Sequence, residues 1–110
     1  MGKVNLEDFN KIEIRVGTVS EVLNFPEAAK PAYKLIIDFG EKGIKRSSAQ
    51  ITDLYKPEEL LYKQVIAVIN FPEKQIANFM SECLILGAVN GEEVDLLQPS
   101  FKTKNGLRIL

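Results

Sequence analysis

The stretch "KIEIRVGTVSEVLNF", Lys11 to Phe25, decides how this chain folds. Ile12, Ile14 and Val16 alternate with Glu13, Arg15 and Gly17, and Val19, Glu21 and Leu23 carry the period of two on toward Phe25. That period places successive side chains on opposite faces of an extended backbone, so the run is read as one long β-strand. Gly17 has no side chain to pack there and marks a bend or bulge. Just upstream, Asn5 is a good N-cap with Glu7 and Asp8 behind it, which predicts a short helix over about residues 6 to 10 that covers one end of a sheet.

Downstream, "FPEAAKPAYK" is a proline-bounded loop, and in "YKLIIDFG" Tyr33, Leu35, Ile37 and Phe39 face inward against Lys34 and Asp38. "EKG" then connects to "IKRSSAQI", whose faces are Ile44, Arg46, Ser48, Gln50 and Lys45, Ser47, Ala49, Ile51; the two runs form a hairpin. "TDLYKPEELLYKQ" supplies a Thr or Asp cap and a proline-started helical turn before "VIAVIN", which is apolar on both faces, as is "CLILG". "VDLLQP" ends at a proline. Long strand, hairpin, short helix and final strands fit a mainly β architecture, a five-stranded OB-fold barrel with short helices.

Val65, Ala67 and Ile69 on one face of "VIAVIN" and Ile66 and Val68 on the other cannot all point into one barrel, so a second covering surface is required. The tail "KTKNGLRIL" alternates again after an Asn-Gly turn. N- and C-terminal extensions forming a dimer interface, with the last strand docking on another subunit, are therefore expected, which makes the chain a homodimer.

With 110 residues, 45% apolar and 26% charged, one domain over residues 1–110 is expected. The net charge of -1 lacks the global positive field of non-specific nucleic-acid binders, so any such site is a local patch. No apolar run approaches the ~20 residues of a membrane span and "MGKVNLEDFN" has no signal-peptide core; a cytoplasmic location without membrane insertion is expected. The chain has no histidine, which removes the usual general base and metal ligand, and Cys83 has no second cysteine to pair with. Glu58-Glu59 and Glu92-Glu93 sit beside Pro or Gly and read as solvated turns. The chain is not expected to be an enzyme, nor to use a cofactor or metal, and it has no ATP-binding G-x-x-x-x-G-K-[ST] loop.

Two residue sets are candidate sites. Arg46, Ser48 and Gln50 share a strand face, with Lys30 and Lys34 from the neighbouring loop and strand; they suit a nucleic-acid backbone or a peptide main chain, or form an ordinary solvated face. In "NFPEKQIANFMSECLILG", residues 70–87, Ile76, Phe79 and Met80 are spaced as in one helical turn, and Phe71 adds a fourth apolar group. They plug the core locally or form a surface that accepts apolar side chains or stacks on bases.

Taken together, "IEIRVGTVSEVLNFPEA", "KLIIDFG", "IKRSSAQIT", "LYKPEELLYKQVIAVINFP", "SECLILG" and "NGLRI" resemble the CsaA family of export-related molecular chaperones over nearly the whole chain. That family is in turn similar to the tRNA-binding OB domain at the C-terminus of bacterial methionyl-tRNA synthetases, with an R-V-G strand, then N-x-K-P and a G-x-x-S-x-G-M turn. Arg15, Val16 and Gly17 match the first element, and Asn70 and Ser81 parts of the second. Phe71-Pro72 replaces the lysine-proline element, Asn78 and Cys83 the glycines, and Leu84 the methionine; Asn78 is suited to a left-handed turn. The resemblance implies a homodimer that binds unfolded preproteins and works with the translocation ATPase SecA. Phe71, Ile76, Phe79 and Gln50 would contact the peptide. Lys30, Lys34, Arg46, Ser48, Asn70 and Ser81 would contact peptide or, in the alternative function, the folded shape of tRNA.

Overall fold

The computed structural model describes residues 2–110. Helix α1 (Leu6–Asn10) starts where the sequence places it, with the Asn5 side chain accepting from the Asp8 N–H at 2.8 Å. Strand β1 (Ile14–Asn24) follows, then β2 (Tyr33–Asp38), a 3-10 turn over Gly40–Lys42, and β3 (Ile44–Ala49). Helix α2 (Pro57–Leu60) leads to β4 (Gln64–Val68); its N-cap is Lys56, not Thr52 or Asp53, and Glu59 accepts the Lys56 N–H at 2.8 Å. After β4 come β5 (Lys74–Ile76), β6 (Phe79–Ser81), β7 (Leu84–Ile85), β8 (Gly87–Asn90) and β9 (Glu93–Leu96).

Five strands form one antiparallel sheet in the order β3-β2-β1-β4-β7, curled into a nearly closed barrel. Its length lets β1 serve two neighbours: Ile14–Thr18 pair with β4, and Thr18–Asn24 pair with β2. The register slips at Ser20, between Val19 and Glu21. Gly17 is therefore not the bulge: it pairs regularly with Val65, and a Cβ there would lie 2.7 Å from the Phe39 ring and from Ile37. The missing side chain lets two core residues approach the backbone.

The alternation read in β2 holds, with Tyr33, Leu35 and Ile37 buried. They join Val19, Phe39, Leu60, Val65 and Ala67 in the barrel interior. The outer face of β1 and β4 carries a second cluster of Ile14, Val16, Ile66 and Val68, covered by Phe9, Ile12, Leu86 and Ile109. The cover that the doubly apolar β4 requires is thus supplied by the same chain. The C-terminal segment also lies on its own β1: Gly106 N–H donates to Val16 O at 2.7 Å, Val16 N–H to Leu107 O at 3.0 Å and Ile109 N–H to Ile14 O at 2.9 Å. Alternation marks a strand, but it does not say which edge the strand will find.

Arg15 fastens this segment, donating to Gly106 O at 3.0 Å while paired with Glu13 at 2.9 Å; Lys42 reaches the same carboxylate at 3.2 Å. Desolvation acts to raise the Glu13 pKa, but the hydrogen bonds and charges of Lys42 and Arg15 outweigh it and hold the group below its ordinary value. No helix among the described residues is long and apolar enough to cross a membrane.

Candidate functional site

The residues after β4 form a hairpin, not the helical turn that the spacing of Ile76, Phe79 and Met80 suggests: β5 and β6 pair Ile76 with Phe79 across Ala77 and Asn78. Ala77 takes the left-handed conformation at φ 51°, not Asn78, an unusual demand on an alanine. The period of a three-residue strand cannot be told from a helical turn when both place apolar groups at the same positions.

This hairpin sits beside the seam where the barrel closes. The edge strands β3 and β7 meet there without a ladder. Near Arg46 the seam is fastened by a mixed set of bonds: Glu82 N–H to Arg46 O at 2.8 Å, Arg46 N–H to Glu82 Oε1 at 2.9 Å, and Ser48 N–H to Ser81 Oγ at 3.1 Å. Ser47, buried on the barrel side, donates its hydroxyl to Cys83 O at 3.1 Å. Burial pushes the Cys83 thiol up to about 12, so the group stays protonated and is not a nucleophile.

Beyond Ser48 the seam gives way to a cavity of about 880 Å³. Its apolar lining comes from Ala28 and Ala32 in the loop before β2, Phe71, Pro72 and Ile76 from the hairpin arm, Leu84 and Leu86 around β7, and Val89 and Val94 from β8 and β9. Lys30, Ser48, Gln50, Lys74, Ser81 and Glu82 supply the polar groups. Phe71 is 46% exposed, Leu84 49% and Val89 73%, a concentration of accessible apolar surface that an ordinary solvated face does not need.

The cavity therefore gathers Phe71, Ile76, Gln50, Lys30, Ser48 and Ser81 from the sequence-derived set. The remaining four lie elsewhere, for identifiable reasons. Phe79 is 8% exposed because its ring packs edge-on against Phe25 at 5.5 Å, with Ala32 completing the cluster. Lys34 lies 4.8 Å from the centre of the Phe25 ring and 5.6 Å from that of Phe79, and Arg46 lies 5.4 Å from the latter. Stacked cations of this kind shield the aromatic pair while keeping their charge near solvent. Asn70 ties strand ends together: its Oδ1 accepts the Glu13 N–H at 2.8 Å and its Nδ2 donates to Lys11 O at 2.7 Å.

The sequence reading did not include the wall formed by Leu84, Val89 and Val94. Asn90-Gly91 between Val89 and Val94 is a two-strand turn signal, and it sets the β8–β9 hairpin.

Comparison with known proteins fits this geometry. A family model described as "Putative tRNA binding domain" matches residues 14–108. The chain belongs to the tRNA-binding domain family. Within that family it is similar to the crystal structure of chaperone CsaA from Bacillus anthracis, with 49% identity and a TM-score of 0.95 over 99% of this chain and 100% of the other. The structure of CsaA from Picrophilus torridus gives 55% identity and a TM-score of 0.92, covering 98% and 100%. Methionine–tRNA ligase of Pyrococcus horikoshii is 39% identical over 109 residues, which are 99% of this chain and 15% of the ligase. The chain thus spans about 15% of the length of the curated ligases it matches. The fold and its resemblance to the CsaA branch of the tRNA-binding domain family stand together on these comparisons.

Proposed function

We propose that the chain, acting as a single module over residues 1–110, is a non-catalytic chaperone that binds apolar segments of unfolded preproteins. The observation that carries this function is the cavity at the seam, wide, apolar-walled and edged by exposed Phe71 and Leu84. A pocket of this size takes one or two large side chains, and its few polar groups leave the choice of sequence loose. Phe71, Ile76 and Gln50 contact the peptide, with Lys30, Ser48 and Ser81 along the rim; Phe79 supports them from the core, Asn70 holds the strand ends, and Lys34 and Arg46 add positive charge nearby.

The similar structures, both of chaperones, support the chaperone assignment; the proposal extends it to a cytoplasmic homodimer that holds preproteins ready for export with the translocation ATPase SecA. Exposed Val4, Leu6, Leu97, Phe101 and Leu110 provide apolar surface for the second subunit. The measurement is suppression of aggregation of an unfolded preprotein. Phe71→Ser lowers it severalfold while thermal stability stays within about 0.5 kcal/mol of the parent. Unchanged suppression by a folded Phe71→Ser protein would remove the cavity as the binding site.

Structure-specific tRNA binding is a second function, favoured by the family match and by the cations Lys34 and Arg46 stacked over Phe25 and Phe79. A gel shift with total tRNA at physiological salt distinguishes the two. If tRNA bound tightly and aggregation were unaffected, this second function would take first place; its affinity would fall steeply with salt, less so after Lys34→Gln.

A further inference from the structure

The Asn-Gly dipeptide occurs twice in the chain, and the fold treats the two copies differently. Asn90-Gly91 forms the tip of the β8–β9 hairpin, where Asn90 pairs with Glu93 and Gly91 stands at φ 62° with open space around it. Both residues are exposed, and among the described residues no hydrogen bond engages the Asn90 side chain or the Gly91 N–H. Asn105-Gly106 is half-buried where the C-terminal segment lies on β1. There Asn105 Oδ1 accepts from Thr18 Oγ1 at 2.7 Å and from Gln64 Nε2 at 3.1 Å, and Gly106 N–H donates to Val16 O at 2.7 Å. A Cβ on Gly106 would lie 2.6 Å from Phe39 O, so this backbone is packed as well as bonded.

Asparagine before glycine is a reactive pair, because a residue without Cβ lets its nitrogen approach the preceding side chain. The glycine nitrogen gives its proton to solvent hydroxide and attacks the asparagine Cγ. A new N–C bond closes a five-membered imide, and the Cγ–Nδ2 bond breaks to release ammonia. Water then opens the imide at one of its two carbonyls, leaving aspartate or, with the main chain rerouted through the side chain, isoaspartate. Ring closure asks for a glycine N–H not spent in a hydrogen bond and a side chain able to swing onto it. Asn90 meets both requirements and Asn105 meets neither.

We propose that Asn90 is a self-modifying site, converted to aspartate and isoaspartate in the folded protein while Asn105 is held back by its bonds. The conversion acts on the hairpin. A carboxylate at position 90 stands directly opposite Glu93 and two residues from Glu92, and like charges directly opposite each other destabilise a ladder. The isoaspartate product adds a methylene to the main chain and breaks the register of a ladder four pairs long. Val89 and Val94 form the next pair and line the seam cavity, so the change loosens one wall of it. Its effect on binding rests on the chaperone function above; the modification does not.

The test incubates the full chain in warm, mildly alkaline buffer and follows both positions by peptide mapping with mass spectrometry, with isoaspartate located by enzymatic carboxyl methylation. Asn90 converts about tenfold or more faster than Asn105, since the bonds around Asn105 must open first. In urea the two rates draw together. Asn90→Gln abolishes the methylation at the hairpin without changing thermal unfolding, and Thr18→Val, which removes one bond to Asn105, speeds conversion there. Equal rates in the folded chain, or an Asn90 that does not convert in it, would overturn the proposal.

The isoaspartate form, separated by charge, shows faster amide exchange at Ala88 and Asp95, the pair one bonding step down the ladder. Unchanged exchange would overturn the loosening of the wall. Faster exchange with undiminished suppression of aggregation would count against the cavity as the chaperone site and leave the modification standing.

Discussion

Along the first half of β1, residues 106–109 lie against the free edge and bond to it three times; along the end of β3, Gln50 faces an open cavity with no partner. Both places are edges of the same sheet, and an unpaired edge invites another chain. The first is closed by the protein itself, sealed by Arg15 and backed by an apolar cluster that includes Ile109. The second is fastened only as far as Ser48. An edge left bare in a chain that can cover its other edge is better understood as a place for a partner than as an unfinished barrel.

Three changes break or sharpen that contrast. The largest effect is expected from Phe39→Ala, since the ring fills the barrel beneath Gly17 and the Phe39 carbonyl stands where a Cβ on Gly106 would come within 2.6 Å. Emptying that space costs about 3–5 kcal/mol in urea unfolding. The covered edge loses its support, so amide exchange at Val16 accelerates as well. Ile109→Ala is intermediate, about 1–2 kcal/mol for a half-buried side chain, and frees the Val16 amide while leaving peptide binding at the seam unchanged. Loss of peptide binding in that variant would mean that the two edges are coupled.

The smallest effect is that of Glu13→Gln, which removes the ion pairs with Arg15 and Lys42 and lowers stability at neutral pH by less than about 1 kcal/mol. Its signature lies in the pH dependence. Because the folded protein holds Glu13 below its ordinary value of 4.5, the stabilisation is full above that value and is lost as pH falls through the lower folded one. Glu13→Gln flattens this part of the acid unfolding curve; an unchanged curve would show that the ion pairs contribute nothing to the covered edge.

The barrel was legible in the sequence wherever one face of a strand meets the core and the other meets water. Tyr33, Leu35 and Ile37 alternate cleanly for that reason, and Asn5 announces α1 because a cap acts through its immediate neighbours. Legibility fails where the decisive partner is distant or the segment is short. The C-terminal segment was read as a strand for another subunit, yet it makes only an isolated bridge, Arg108 to Arg15, and lies on β1 of its own chain, where Arg15 meets Gly106 in a contact that no local pattern encodes. Gly17 announced something unusual, but the crowding by Ile37 and Phe39 comes from another strand. Within the candidate site, Phe71 and Gln50 were legible as apolar and polar surplus. Phe79 looked the same and is buried, because its partner Phe25 lies just past the far end of β1, distant in sequence.

The clasp over β1 also sets an order of events during synthesis. Strands β1, β2 and β3 are near neighbours in sequence and can pair early, whereas Arg15 must wait for a carbonyl 91 residues away. Until that length of chain has left the ribosome, the nascent protein carries two bare edges in place of one, and is itself the kind of molecule it is proposed to protect.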